Sequence, residues 1–535
     1  MTDCHPIITT THGCVKGLWK CSVYNDNYYS FEKIPYAQPP INNLRFKAPQ
    51  PITPWPEVRE CFQLDVKPLQ QNYFKKIVEG SEDCLYLNVY AKKLISSKPL
   101  PVMIYLYGGG FELGDATTNN LGPDYFMMED VILVTMNYRL GPLGFLSFED
   151  PSLDIPGNAG LKDQLMAIKW FKENCLNFNG DPDNITLFGE SAGSAAAHLL
   201  MMSEKTKGLF HKVILMSGTL NNKWACVPPG NYAYRLAKAT GYDGEDSDSL
   251  VLKHLQEMPS TQLTAVDVLT EEEIFNDLAF VWGPIVEPYD SPSALITCSL
   301  DKLSAISWSN EIPLILGGTS FEGLLKLPSI KKRPQRIEIL NVKPELIVPQ
   351  DIRLKQTLEE SQSLGTQILK MYFGNKDLNI ENVLNYLEIL SYTRYWIGFQ
   401  FTIFQRLRYA THSPTYMYRF DFDSPTFNLY RIKYCGREVR GAAHADDVSY
   451  LFYCRRAWKL PLDSLEYLTI RRMICMWTSF ASTSNPNCKE IQPSQWTCVN
   501  DKQPFAALNI SDEVEMLKEL PETEKLKFWL SLYNE

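Results

Sequence analysis

The 535-residue chain predicts an α/β fold: a central, mostly parallel sheet with helices on both faces. Three observations carry this. Several apolar runs read as strands buried on both sides, namely PVMIYLY (101–107), VILVTMNY (131–138), NITLFG (184–189), KVILMSG (212–218), IPLILGG (312–318) and TYMYRFDF (415–422). Between the second and third runs lies GLKDQLMAIKWFKENC (160–175). There Leu161, Leu165 and Ile168 recur at helical spacing, leaving Lys162, Lys169 and Lys172 for the other face. Strands alternating with helices need crossover connections, and crossovers give parallel pairing. No compositional shift marks a linker, so the reading is one domain over 1–535 with helical insertions near 220–300 and 325–410. Such insertions cover and shape a site at the sheet's edge.

The bulk numbers narrow the class. A hydrophobic content of 45% with 21% charged residues suits a large globular core. A net charge of -10, spread along the chain, argues against a nucleic-acid partner, which would need a basic face. No window approaches the 18 or so unbroken apolar residues of a membrane-spanning helix. The start, MTDCHPIITTTHGCVKG, has no basic stretch followed by an apolar one, and the end, FWLSLYNE, carries no retention or prenylation motif. This predicts a cytoplasmic protein. The 13 cysteines form no CxxC pairs and are expected to be mostly buried free thiols. Neither a metal nor another cofactor is expected.

The stretch LFGESAGSAAAHLLM (187–201) brackets Ser191 between Gly189 and Gly193. In G-x-S-x-G the chain turns sharply from strand to helix and exposes the serine hydroxyl at the sheet's end. The apolar run before it and the helix formers after it supply that context. A serine hydroxyl is a poor nucleophile and needs a base, which in turn needs a carboxylate to fix its tautomer. In the α/β-hydrolase arrangement the chain order is serine, acid, histidine. Of the seven histidines, His198 and His211 follow Ser191 too closely, and His412 precedes a strand, at the wrong end of the sheet. His444, in the polar loop GREVRGAAHADDVSYLF, is favoured over its other reading as a surface residue beside Asp446 and Asp447. Glu322, in IPLILGGTSFEGLL, is the carboxylate just beyond a core strand. Gly108, Gly109 and Gly110 follow another core strand, where their N–H groups could approach an oxyanion, as could that of Ala192. The phosphate-loop pattern GxxxxGK[ST] is absent.

These blocks resemble the type B carboxylesterase/cholinesterase family of α/β-hydrolases over nearly the whole chain. The resemblance rests on FEKIPYAQPPINNLRFKAPQP, SEDCLYLNVY, NYRLGPLGFLS, GNAGLKDQLMAIKW, GDPDNITLFGESAG, GPIVEP and MWTSFASTSNPN, in family order. It implies Ser191, Glu322 and His444 as triad, Gly109, Gly110 and Ala192 as oxyanion donors, and Glu190 and Ser217 beside them. TSFEGLL and HADDVSYLF look most like the insect α-esterases. That implies lipophilic carboxylic esters as small-molecule substrates, organophosphates as covalent inhibitors, and a role in detoxification or lipid ester metabolism.

The departures are informative. Tyr107 stands where many esterases have histidine, as it does in cholinesterases. The family's choline-binding tryptophan, an aromatic platform for a quaternary ammonium, has no counterpart: its position matches about Phe74. Cys61 aligns poorly with the partner that secreted members give Cys84, so no disulfide is expected there. Glu190 separates the chain from the juvenile hormone esterases, which usually carry Gln at that place. Polar residues usual in relatives are altered in SYTRYWIGFQFTIF (391–404), which predicts a different pocket lining. The alternatives are stoichiometric sequestration of organophosphates or other xenobiotics, and a non-catalytic binding member of the family. With His444 near the reference value, activity should fall at about pH 6 to 7.

Overall fold

Side chains along the central strands alternate between two apolar cores, and that alternation sets the architecture. The computed structural model describes residues 5–72, 76–276 and 278–533. In the strand Leu100–Leu106, Val102, Ile104 and Leu106 enter one core while Met103 and Tyr105 enter the other. In Lys212–Met216, Val213 and Leu215 oppose Ile214 and Met216 in the same way. Strands buried on both sides cannot alternate apolar with polar, which is why they read as continuous apolar runs. Each such side chain contributes roughly 1.5–3 kcal/mol when fully buried.

Eleven strands form the main sheet. In chain order they are β1 (Leu18–Cys21), β2 (Asn27–Pro35), β3 (Tyr86–Ala91), β4 (Leu100–Leu106), β5 (Ile132–Met136), β6 (Gly180–Glu190), β7 (Lys212–Met216), β8 (Leu314–Thr319), β9 (Thr415–Phe420), β10 (Ala507–Ile510) and β11 (Val514–Leu517). Their order across the sheet is β1-β2-β3-β5-β4-β6-β7-β8-β9-β10-β11. From β5 through β10 every neighbouring pair is parallel. The three strands before β5 and the final strand pair antiparallel and close the two edges. The predicted mostly parallel sheet is therefore its central part. The antiparallel flanks carry no continuous apolar run and do not register as buried strands in the sequence.

Helices cover both faces. Helix α1 (Ala159–Asn174) and α2 (Ala192–Met202) pack into the first core, α2 through Ala195, Ala196 and Ala197. These short side chains let α2 lie close to the sheet. Between β7 and β8 run α3 (Tyr232–Ala239) and α4 (Asp248–Glu257), and between β8 and β9 run α5 (Leu358–Phe373), α6 (Val383–Ser391) and α7 (Ile397–Tyr409). A π-helical turn, Tyr392–Trp396, joins α6 to α7. The second face is covered by α8 (Leu465–Thr483), and α9 (Thr523–Ser531) returns to the first. Lys162 departs from the expected outward placement. It is buried on α1, with Nζ 2.8 Å from the buried carboxylate of Glu287 and also donating to Gly157 O at 2.8 Å, while Glu287 accepts from Asn158 and from the N–H groups of Leu295 and Ile296. Among the described residues no helix is long and apolar enough to cross a membrane.

Candidate active site

The site assembles at the ends of β4, β6, β7 and β8. Strand β6 ends at Glu190 and helix α2 begins at Ala192, so Ser191 alone makes the turn. Its backbone stands at φ +55° and ψ -123°, a conformation that costs a non-glycine residue about 1–3 kcal/mol. The Ser191 N–H donates to Met216 O at 2.8 Å, tying the turn to the end of β7. The glycine bracket follows from close approach. A Cβ on Gly193 would stand 2.0 Å from Leu106 O, and one on Gly189 would stand 2.5 Å from the backbone of Gly193.

The loop after β4 runs alongside. A Cβ on Gly108 would sit 2.9 Å from Ser191 Cβ, so this loop faces the serine. Gly109 and Gly110 take φ of +121° and +63°. Gln70 clamps the loop's far end, its Nε2 donating to Gly114 O at 2.8 Å and its Oε1 accepting the Gly114 N–H at 3.0 Å. Among the described residues neither Gly109 nor Gly110 gives its N–H to a protein acceptor. Ala192 opens α2, where the first amides lack intrahelical partners.

Glu322 lies just past β8 and is fully buried. Its Oε1 accepts the Ser217 hydroxyl at 2.7 Å and the Thr319 N–H at 2.8 Å. Its Oε2 lies 2.5 Å from His444 Nδ1. The two loops are joined by a bridge between Phe321 and Ala443, with the Phe321 N–H donating to Ala442 O at 3.0 Å. The Asp446 carboxylate accepts the N–H groups of Ala443 and Arg431, which fixes the turn carrying His444. Ser217, supporting Glu322 from the end of β7, acts through that carboxylate. Ser217→Ala should lower kcat about tenfold, the loss of one charge-assisted hydrogen bond, with KM nearly unchanged in steady-state assays.

The other face of the imidazole ring holds a contact that sequence did not reveal. His444 Nε2 lies 3.1 Å from Glu190 Oε1. The half-buried Ser191 hydroxyl, one residue on, makes no hydrogen bond with the ring. Burial works against a charged His444, but the carboxylates of Glu190 and Glu322 outweigh it and hold the ring above the ordinary histidine value. Burial also raises Glu190 above the carboxylate range, with His444 pulling it back. Deeper still, burial beside Glu322 pushes Asp447 up to about 7, with its Oδ2 accepting the Tyr418 hydroxyl at 2.9 Å. The expectation of an unshifted His444 is thereby corrected. A base must be neutral, so a raised value moves the acid limb of kcat/KM above the reference pH. Glu190→Gln removes one anion facing Nε2 and should bring that limb down by about one pH unit. A kcat/KM profile measured from acid to neutral pH checks this.

Two of the other histidines, His198 and His211, serve structure. His198 accepts the Leu220 N–H at 3.1 Å, and burial depresses it to about 3. His211 accepts the Ile185 N–H at 3.1 Å. His412 is exposed on the turn before β9, away from the elbow. Cys61 and Cys84 are buried free thiols. Phe74 lies outside the described residues.

Aromatic side chains from the connections between β7, β8 and β9 pack beside these residues. Tyr395, on the π-helical turn, packs its ring 4.9 Å from that of His444. Trp224 stands 5.8 Å from Tyr395 and donates from Nε1 to Arg394 O at 2.8 Å. Phe280 faces Gly110 and packs edge-on to Phe111 at 5.8 Å. The segment 391–404 thus reaches the site through Tyr395. The altered polar residues of 391–404 mark the segment in the sequence, but its aromatic cluster looks the same as that of a core helix and does not single out Tyr395. Among the described residues no group of three or more His, Cys, Asp or Glu is placed to hold a metal.

The geometry agrees with what the chain resembles. The model of the carboxylesterase family matches residues 4–529. Esterase B1 of Culex pipiens is 34% identical over 542 aligned residues, covering 98% of each chain. A juvenile hormone esterase of Tribolium castaneum is 33% identical, covering 95% of this chain and 89% of its own. In three dimensions the chain is similar to the juvenile hormone esterase of Manduca sexta, solved with OTFP covalently attached. The TM-score is 0.85 at 27% identity, over 99% of this chain and all of that one. With a mostly parallel sheet, a strained serine turn at its edge and relatives named as esterases, the chain belongs to the carboxylesterase family and is a carboxylic ester hydrolase.

Proposed function

We propose that Ser191, His444 and Glu322 form the catalytic relay of a serine carboxylesterase acting on lipophilic esters through an acyl-enzyme. The carrying observation is the 2.5 Å contact of Glu322 with His444 Nδ1, delivered beside the turn that presents Ser191. With its proton held at Nδ1 by Glu322, the neutral ring offers the Nε2 lone pair to the serine. On this reading the serine comes within reach of Nε2 as the ester docks. Ser191 Oγ attacks the carbonyl carbon while Nε2 takes its proton. The oxyanion is received by the N–H groups of Gly109, Gly110 and Ala192, each worth about 3–4 kcal/mol of transition-state stabilisation. His444 then returns the proton to the departing alcohol, and water repeats the steps on the acyl-enzyme.

The aromatic rings of Trp224, Phe280 and Tyr395 beside the site support a reading of apolar acyl or alcohol groups. Organophosphates would phosphorylate Ser191 by the same attack. The covalent OTFP on the Manduca sexta relative supports the accessibility of such a nucleophile in this fold. A reducing, intracellular compartment belongs to this reading, supported by the free thiols of the described cysteines. The contact of Glu190 with Nε2 supports a second reading, slow-turnover sequestration, because it competes for the atom that must accept the serine proton. Pre-steady-state hydrolysis of p-nitrophenyl esters of graded chain length tests both. Sustained turnover after the first equivalent of product supports the esterase. A burst with a negligible steady state supports sequestration, and no burst or turnover with any ester overturns both.

A further inference from the structure

The segment 453–462, YCRRAWKLPL, leaves the turn Asp446–Tyr450 that follows His444. It is tied to the chain beyond the glycine loop. Gly122 and Tyr453 exchange backbone hydrogen bonds at 2.7 and 3.1 Å, and the Arg455 N–H donates to Asn119 O at 2.8 Å. Two anchors reach inward. Leu460 is buried, its N–H donating to the Tyr24 hydroxyl at 3.3 Å, and the Trp458 ring packs edge-on to buried Phe427 at 5.3 Å. Around these anchors Arg455, Arg456 and Lys459 are exposed. Trp458 stays 41% exposed despite its packing, and Leu462 and Leu465 stay 67% and 46% exposed.

Charge and apolar surface coincide here. No acid occurs in the sequence between Asp447 and Asp463. Among the described residues Arg455, Arg456 and Lys459 enter no ion pair. Rings stand beside two of them: Arg456 lies over Tyr430 and Lys459 over Tyr24, each at 5.9 Å. A groove of about 320 Å³ runs alongside, lined by Tyr24, Asp26, Met128, Lys459, Leu462 and Arg471 among others. There Asp26 is answered by Lys92 at 3.2 Å, and Arg471 by Glu129 and Glu490 at 3.3 and 3.1 Å. Lys459 is the charge left over. On a chain of net charge -10, three uncompensated cations interleaved with Trp458, Leu462 and Leu465 are a local reversal of sign. A tryptophan and leucines beside cations suit the headgroup layer of a bilayer, where apolar side chains reach the acyl boundary and cations meet anionic headgroups. A purely acidic partner would answer the cations and leave the apolar side chains in water.

We propose that segment 453–465 docks the protein on an anionic lipid surface. Trp458, Leu462 and Leu465 enter the headgroup layer, and Arg455, Arg456 and Lys459 meet its anions. The docking does not depend on the catalytic reading. Joined to that reading, it places the site end of the sheet beside the phase in which lipophilic esters dissolve.

Co-sedimentation of the full-length protein with vesicles tests this. The wild type should bind phosphatidylcholine vesicles containing about 30% phosphatidylserine, bind phosphatidylcholine alone far more weakly, and come off as salt rises from about 0.05 to about 0.5 M. Arg455→Ala, Arg456→Ala and Lys459→Ala together should lower the partition coefficient roughly 100-fold. Alanine at three exposed lysines elsewhere, Lys98, Lys207 and Lys253, changes the net charge equally and should leave binding within about twofold. Circular dichroism verifies the fold of each variant. Trp458→Ala, with the three cations kept, should also weaken binding, and unchanged binding overturns the insertion. No binding by the wild type, equal binding to the two vesicle types, or equal losses in the two triple variants overturns the proposal. Capture on immobilised polyglutamate without vesicle binding assigns the face to an acidic protein and overturns it. So does a dimer in sedimentation velocity that the first triple variant dissociates, if vesicles are not bound.

Discussion

Ser191→Ala should lower kcat for 1-naphthyl and p-nitrophenyl esters by about 10⁵-fold, leaving only what binding and the oxyanion donors supply. The reason is positional as well as chemical. Ser191 is the single residue between β6 and α2, held at φ +55° by its own N–H to Met216 and by the packing of Gly193 on Leu106. No neighbouring hydroxyl can take its place. Ser217 lies behind the site with its proton committed to Glu322, and Ser194 donates to Gly218 O at 2.5 Å. Alanine at 191 removes the hydroxyl and leaves the turn intact. Paired steady-state assays, with circular dichroism to verify the fold, read the effect. Equal rates in the two proteins would remove Ser191 from the mechanism, and intact-mass spectra after organophosphate treatment should show an adduct on the wild type alone.

Glu322→Gln should cost about 10⁴-fold in kcat, although it changes one atom. Three donors converge on this carboxylate: Ser217 and Thr319 at Oε1, and the ring Nδ1 at Oε2. A glutamine offers a single oxygen. Placing that oxygen where two donors already meet turns its NH₂ toward Nδ1. The ring must then accept at Nδ1 and carry its proton on Nε2, the tautomer that cannot receive a proton from serine. The opposite orientation sets the NH₂ against the Thr319 N–H and the Ser217 hydroxyl in a fully buried place, which costs about 1–3 kcal/mol per unmet donor. Steady-state kinetics beside Glu322→Asp separates the two effects. The aspartate keeps the charge with a shorter reach and should retain more activity than the glutamine.

Much of this was legible in the sequence because it depends on short-range constraint. The glycines around Ser191, the apolar runs of the parallel strands, and the order serine, acid, histidine are all local or ordinal properties. Glu322 stood out because it is the carboxylate that follows a core strand, and His444 because His412 lies at the wrong end of one. What escaped depends on pairing across distance. Lys162 reads as an outward lysine on an amphipathic helix until Glu287, 125 residues later, meets it in the core. The contact of Glu190 with His444 Nε2 needs the loop after β9 to return to the end of β6, and the raised histidine follows from it. Tyr395 packs on the imidazole because a π-helical turn rotates that part of the insertion toward the site, and no periodicity in 391–404 announces such a turn. The edge strands escaped because their register comes from neighbours already in place.

The division of labour between sheet and insertions has a consequence for engineering. Ser191, Glu322 and the glycine loop sit on strand ends locked by backbone contacts too tight to admit even a methyl group at Gly193. Trp224 and Phe280 come from the connection between β7 and β8 and pack against the strand ends through their rings. On the proposed reading, a library confined to positions 224 and 280 should change which esters are accepted while the residues proposed to cleave them stay in place, which substrate profiling of the library checks.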